Sequence, residues 1–283
     1  MKKLLIVFGL TVHVAVAQHE WVLQPWMQVE GRYNGQKLGS SVGFAGNVGD
    51  SAQITVGDVN GLAMYRIKSP TDTTPRFFFP GNNCILEDFN GDGIKDLAVG
   101  GNPTRIYLGK GLGIFDSVAL FTKYQEANGY VFGGSVAAGN INGDQYDDLV
   151  VSDRGYPERN NIGRVYVFFG GIAMDTLSVP ILQGEGIHRR LGERVAIGDL
   201  NNDGFGDIIV RGYDENDPIN SRRYSYIRVY LGGESIDTAA WKYIRGTNDF
   251  GDLASFDANG DGVADLLWSN IDSLATVYIH FGK

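Results

Sequence analysis

The segment Asp199-Leu200-Asn201-Asn202-Asp203-Gly204-Phe205-Gly206-Asp207 sets side-chain oxygens at positions 1, 3, 5 and 9 of a nine-residue loop, with the apolar run Ile208-Ile209-Val210 behind it. Alternate residues of a tight loop can turn inward, which lets Asp199, Asn201, Asp203 and Asp207 converge on one centre. The Phe205 carbonyl at position 7 completes an all-oxygen shell, the environment a hard cation such as Ca²⁺ requires. Gly204 suits position 6 because the sharp turn calls for positive φ, where a side chain is penalised. The spacing recurs three times: as Asp88, Asn90, Asp92, Ile94 and Asp96; as Asn140, Asn142, Asp144, Tyr146 and Asp148; and as Asp257, Asn259, Asp261, Val263 and Asp265. In each set the position-7 residue (Ile94, Tyr146 or Val263) offers its carbonyl.

One copy alone also reads as a polar turn, since Asn-Gly and Asp-Gly are ordinary hairpin signals. Four copies in register, each ending in Asp before an apolar run, favour up to four structural calcium sites. An EF-hand is excluded, because position 12 is Val99, Val151, Val210 or Trp268 rather than Glu, and strand patterning follows instead of a helix. The Asn140 copy has two acid ligands instead of three and places Gln145 at position 6. Fewer charges, and a Gln held at positive φ for about 1 kcal/mol, predict the weakest site there.

Charge fits this picture. The chain has 33 acidic and 24 basic residues, a net charge of −9, which excludes a basic nucleic-acid footprint. The loops hold eleven ligand-position carboxylates, more than that whole excess. Without a cation they repel at close range.

Met1-Lys2-Lys3, the apolar run from Leu4 to Leu10 and the small residues of Ala15-Val16-Ala17 form the three parts of a secretory signal. Residues 1–17 are therefore expected to be removed after Ala17, leaving 18–283 as an exported domain, periplasmic or extracellular. No later stretch approaches the ~20 apolar residues of a membrane span. Cys84 is the only cysteine, so no intrachain disulfide is possible.

The loops begin at 88, 140, 199 and 257, in steps of 52, 59 and 58 residues. A short apolar lead-in precedes each loop. The run behind it is apolar throughout, as a strand covered on both faces should be. A third segment carries a Tyr marker (Tyr107, Tyr166, Tyr230, Tyr278), and a more polar fourth leads onward. No sustained helical period appears, so the class is all-β. A degenerate unit runs from Leu38 through Asn47 to Tyr65, with a shorter loop that has lost most acid positions; it is expected to fold alike without metal. Five four-stranded units of this kind predict the blades of a β-propeller, sheet packed on sheet. The last unit lacks its fourth strand, and Trp26-Met27-Gln28-Val29-Glu30-Gly31-Arg32-Tyr33 precedes the first. That N-terminal strand is expected to complete the last blade and close the ring, removing a free edge.

Phe132-Gly133 and Phe250-Gly251, the variants Leu38-Gly39 and Leu191-Gly192, and the loop pattern Asp-x-Asn-Gly-Asp-Gly-x-x-Asp resemble the FG-GAP repeats of integrin-α β-propellers over residues 20–283. The resemblance implies structural Ca²⁺ in the hairpin between the first two strands of each blade, and a ligand-binding face on the opposite side of the disc. The chain departs from the pattern in its poorly kept Gly-Ala-Pro element and in counting five blades rather than seven.

The connections between second and third strands are the candidate partner face, for an extracellular protein or a glycan. The two longest connections contribute Arg154, Tyr156, Arg159, Tyr213, Arg222, Arg223, Tyr224 and Tyr226, of the types that dominate interface energetics. Catalytic signatures are lacking: the sequence has no Gly-x-Ser-x-Gly elbow, His-Glu-x-x-His or phosphate loop. His188 reads as a solvated connector residue, His280 as a packed or edge-facing ring and Cys84 as a small buried apolar residue. The reading is a calcium-stabilised binding or scaffold module and not an enzyme. Its rival is an exported enzyme acting on polysaccharide or phosphodiester from the central channel, for which an acidic pair of raised pKa facing that channel would speak.

Overall fold

A computed structural model describes residues 42–283 apart from 49–50, 59–60, 68–76, 82, 112, 127–130, 159, 175–179, 186–188, 215–223, 247–249 and 271–275. The first sheet joins β1 (Val42–Val48), β2 (Ser51–Asp58), β3 (Gly61–Ile67) and β4 (Phe77–Phe79). The second joins β5 (Asn83–Glu87), β6 (Asp96–Gly100), β7 (Thr104–Tyr107) and β8 (Phe121–Lys123). The third holds β9 (Phe132–Gly139), β10 (Asp148–Asp153), β11 (Arg164–Phe168) and β12 (Pro180–Gln183). The fourth holds β13 (Arg194–Gly198), β14 (Asp207–Asp214), β15 (Tyr224–Tyr230) and β16 (Lys242–Arg245). The fifth has three strands, β17 (Phe250–Phe256), β18 (Asp265–Asn270) and β19 (Val277–His280).

Each sheet is an antiparallel meander in sequence order, and the described residues contain no helix. The apolar runs became the second strands, covered on both faces in β6, β10 and β14 but only partly in β18, where Leu267 and Trp268 are half-buried. Every described residue of β6 and β10 is buried, as are Ile208, Ile209 and Val210 of β14. One shared core lies between each successive pair of sheets. Met64 meets Leu86, Leu97 and Val99 between the first two. Phe89, Ala98 and Ile106 meet Leu149, Val151 and Tyr166 between the next two. Val150, Val165 and Val167 then pack with Ile208 and Val210, and Ile209, Ile227 and Val229 with Phe250 and Leu266. The first strands follow one another in contact, β1 with β5, β5 with β9, β9 with β13 and β13 with β17. This is β-propeller packing, with four complete blades.

The Phe-Gly and Leu-Gly signatures have a direct steric reading. Phe132, Leu191 and Phe250 are buried between sheets. Gly133 and Gly192 follow the first two at φ of 67° and 90°, and a Cβ on Gly133 would lie 2.3 Å from the Gly101 nitrogen of the preceding sheet. Only glycine meets both demands.

The degenerate unit forms a complete four-stranded sheet, as expected, with a tight β1–β2 hairpin that pairs Val48 with Ser51. The fifth sheet has three strands among the described residues, the number its own unit supplies. The candidate closing strand, residues 26–33, lies outside the described residues.

Candidate metal loops and binding face

All four acidic loops are the hairpins between first and second strands, and position 9 in each is the first residue of the second strand. At position 1, the Asp88 carboxylate accepts the N–H groups of Gly91 at 2.8 Å and Gly93 at 2.7 Å. Asp92 accepts the Ile94 N–H at 2.8 Å, and Asn90 Oδ1 accepts that of Asp92 at 3.0 Å. Asp199 and Asp257 repeat the pattern, accepting the position-6 N–H groups of Gly204 at 2.8 Å and Gly262 at 3.0 Å. The oxygens of positions 1, 3 and 5 therefore turn into the loop. The donors are oxygen throughout, and the position-6 glycines hold φ of 79°, 90° and 91°. In donor type the loops fit a hard cation. Among the described residues, however, no group of three or more His, Cys, Asp and Glu side chains is placed to hold a metal ion. The carboxylates are spread over the loop's own N–H groups.

The position-9 aspartates are fully buried and serve two sides. Asp96 accepts the N–H of Phe89 at 3.1 Å and of Gly109, beyond the third strand, at 2.8 Å. Asp148 does so with Ile141 and Gly170, Asp207 with Leu200 and Gly232, and Asp265 with Ala258 and Gly282. Burial pushes Asp96, Asp148 and Asp207 up to about 6 against the pull of these N–H groups, and neighbouring loop carboxylates add to the rise. The sequence marks these residues as ligands. Their second role, fixing the hairpin to the end of the third strand, depends on glycines 13 to 25 residues away.

The Asn140 loop differs from expectation. Among the described residues the non-glycine positive φ values fall on Asn161, Arg190 and Asn202, so Gln145 escapes the predicted strain. The loop adjusts instead: Asn140 Nδ2 donates to the Asp144 carbonyl, a bond that no aspartate at position 1 can make. Position 4 is where the left-handed conformation recurs, at Gly91, Gly143, Asn202 and Gly260 with φ of 74°, 78°, 59° and 84°. Asn is the side chain best suited to that region.

On the candidate partner face, Arg154 donates from Nη1 to both carboxylate oxygens of Glu193 in the next sheet, at 2.8 and 2.9 Å. The Arg164 guanidinium lies 3.3 Å from the Tyr156 ring centroid. Tyr224 is half-buried, with the Arg245 guanidinium 5.4 Å from its ring. Tyr213 and Tyr226 correct the expectation: they are 7% and 1% exposed. They belong to β14 and β15, which reach further into the connection than its length suggested. Tyr213 Oη accepts a hydrogen bond from Arg211 at 2.9 Å, and the Tyr226 ring stacks on Tyr243 at 5.8 Å. Arg159, Arg222 and Arg223 lie outside the described residues. Sequence reasoning missed Glu193 and Arg164, although an acid directly after the Leu191-Gly192 signature was the available signal.

His280 is exposed on β19, the outer strand of its sheet among the described residues, with its Nδ1 2.9 Å from the Phe281 carbonyl oxygen, which fits the edge-facing alternative. His188 lies outside the described residues, and Cys84 is half-buried in β5. No helix among the described residues is long and apolar enough to cross a membrane.

With this geometry in place, the likeness to known proteins is specific. Residues 88–151, one loop through the next, match the family described as FG-GAP-like repeat. Integrin alpha-IIb of Mus musculus is 34% identical over 152 residues, 49% of this chain and 15% of that protein. Integrin alpha-5 of Xenopus laevis is 34% identical over 140 residues, 46% of this chain and 13% of that protein. Integrin alpha-V of Gallus gallus is 37% identical over 145 residues, again 46% and 13%. The chain thus spans about a seventh of the length of these relatives.

Proposed function

We propose that this integrin-α-like FG-GAP propeller is a secreted, calcium-stabilised binding or scaffold module whose ligand is an extracellular protein or a surface glycan. The observation that carries the reading is the repetition itself: one oxygen-lined hairpin in each of four successive sheets, at the same place in the blade. A bound cation would supply the positive charge that the clustered carboxylates lack.

The residues' part follows from their places. Positions 1, 3 and 5 (Asp88, Asn90 and Asp92, and their counterparts) and the position-7 carbonyl would hold the ion. Position 9 contributes a carboxylate and stays fixed to the third strand. The Asn140 site is the weakest, on its charge count. In this reading residues 1–17 are the removed signal, and 18–283 form five blades, the last completed by residues 26–33 alongside β19. The exposure of every residue of β19, Val277 through His280, supports that position for a fourth strand.

The ligand face is the set of second-to-third strand connections, with Arg154 paired to Glu193, Tyr156 under the Arg164 guanidinium, and Tyr224 at the start of β15 against Arg245. Arg159, Arg222 and Arg223 belong to the same connections, whereas Tyr213 and Tyr226 are buried in β14 and β15 and are left out of the face. The test is display of the calcium-loaded protein on arrays of glycans and extracellular proteins. Saturable binding without turnover supports a binding module. Consumption of an arrayed glycan or phosphodiester would overturn it in favour of an enzyme.

A further inference from the structure

The metal loops are not isolated from one another. The position-1 carbonyl of each of the first three loops accepts the position-8 N–H of the loop in the next sheet: Asp88 from Asp147 at 3.1 Å, Asn140 from Gly206 at 2.7 Å and Asp199 from Ala264 at 3.0 Å. The position-2 carbonyl accepts an N–H just beyond the next sheet's third strand: Phe89 from Gly171 at 2.8 Å, Ile141 from Gly233 at 2.9 Å and Leu200 from Lys283 at 3.0 Å. Side chains follow the same path. A Cβ on Gly91 would lie 2.7 Å from the Tyr146 ring, and one on Gly143 2.5 Å from the Phe205 ring, so the position-7 ring of one loop covers the position-4 glycine of the loop before. Where position 4 is Asn202, the position-7 residue of the next loop is the smaller Val263. At the Asp88–Asn140 junction the Asp147 carboxylate also accepts the Asp88 N–H at 3.1 Å.

We propose that these contacts couple cation uptake between neighbouring loops, so that filling one loop tightens binding in the loops on either side and not in a loop two sheets away. The inference rests on the reading that the loops take up calcium. Position 8 lies between two of the proposed donors, the position-7 carbonyl and the position-9 carboxylate. Its N–H is tied to the residue that supplies the first donor of the preceding loop. Fixing position 1 in one loop therefore also fixes the 7–9 segment of the next, and the second ion meets a segment already ordered. By linkage the effect is reciprocal, and one shared pair of hydrogen bonds sets its scale at about fivefold per junction.

The test is a calcium titration of the full chain, read at each loop by amide hydrogen exchange and in total by calorimetry. In Asp203→Ala, which disables the Asp199 loop, the Asn140 and Asp257 loops should lose about fivefold in calcium affinity while the Asp88 loop keeps its own. Asp147→Ala, compared with Asp147→Asn to separate charge from contact, should weaken the Asp88 and Asn140 loops and spare the other two. Equal weakening of all remaining loops, or no change in any of them, would overturn the coupling while leaving the calcium reading intact. A wild-type protein that takes up no calcium would overturn both.

Discussion

Asp207 shows how much one side chain does in this molecule. Its carboxylate is buried at the start of β14, accepting the N–H of Leu200 at 3.0 Å and of Gly232 at 3.2 Å. Asp207→Ala strands both donors in the interior, and hydrogen bonds to charged groups are worth roughly 1.5–3 kcal/mol each. The variant should lose about 3 kcal/mol of stability in denaturant unfolding, in chelator as well as in calcium. A loss seen only with calcium present would reduce Asp207 to a ligand and nothing more. The four position-9 aspartates were legible as acids of a repeated loop, because spacing along the chain is a local property. Their bonds to Gly109, Gly170, Gly232 and Gly282 were not, because those depend on how a third strand returns beside the hairpin. Gln145 gave the opposite error: position 6 suggested a positive φ that the backbone does not adopt there.

Among the elements, the second strands were the most legible, since an unbroken apolar run such as Leu149-Val150-Val151 has no stable place except between two covering faces. The ends of the strands were not. β14 and β15 extend through Asp214 and from Tyr224, which carries Tyr213 and Tyr226 into the interior and removes them from the partner face. Pairing across sheets, such as Arg154 with Glu193, lay beyond any reading of one repeat alone. Changing Tyr156, Arg223 and Tyr224 together to Ala should abolish capture of the protein's ligand in a pull-down while calorimetric calcium uptake stays unchanged. Loss of both properties, or of neither, would remove these connections from the binding face. Loss of capture alone would separate the two ends of each blade, with the hairpins left to the ion and the opposite connections to the partner.

Over the whole molecule, the order of five sheets and their shared cores follow from a repeat with a period of more than fifty residues. What the repeat leaves open is the junction between last sheet and first. β19 is exposed along its length, and Tyr278 stacks on Trp268 at 5.3 Å with 42% of its own surface still open. If residues 26–33 complete that sheet, deleting residues 20–35 should lower the melting temperature by several degrees and promote aggregation through the bared strand. Unchanged melting would mean that the ring holds without it. Neutralisation of the carboxylates of the Asp88, Asn140, Asp199 and Asp257 hairpins by divalent ions is checked by melting the protein in chelator and in a graded series of calcium concentrations, with calorimetric stoichiometry alongside. Each filled site should add about 2.7 kcal/mol at a hundredfold excess over its Kd. The melting temperature should climb with calcium as up to four ions bind; a melting temperature indifferent to calcium, with no ion taken up, would mean that the hairpins hold none.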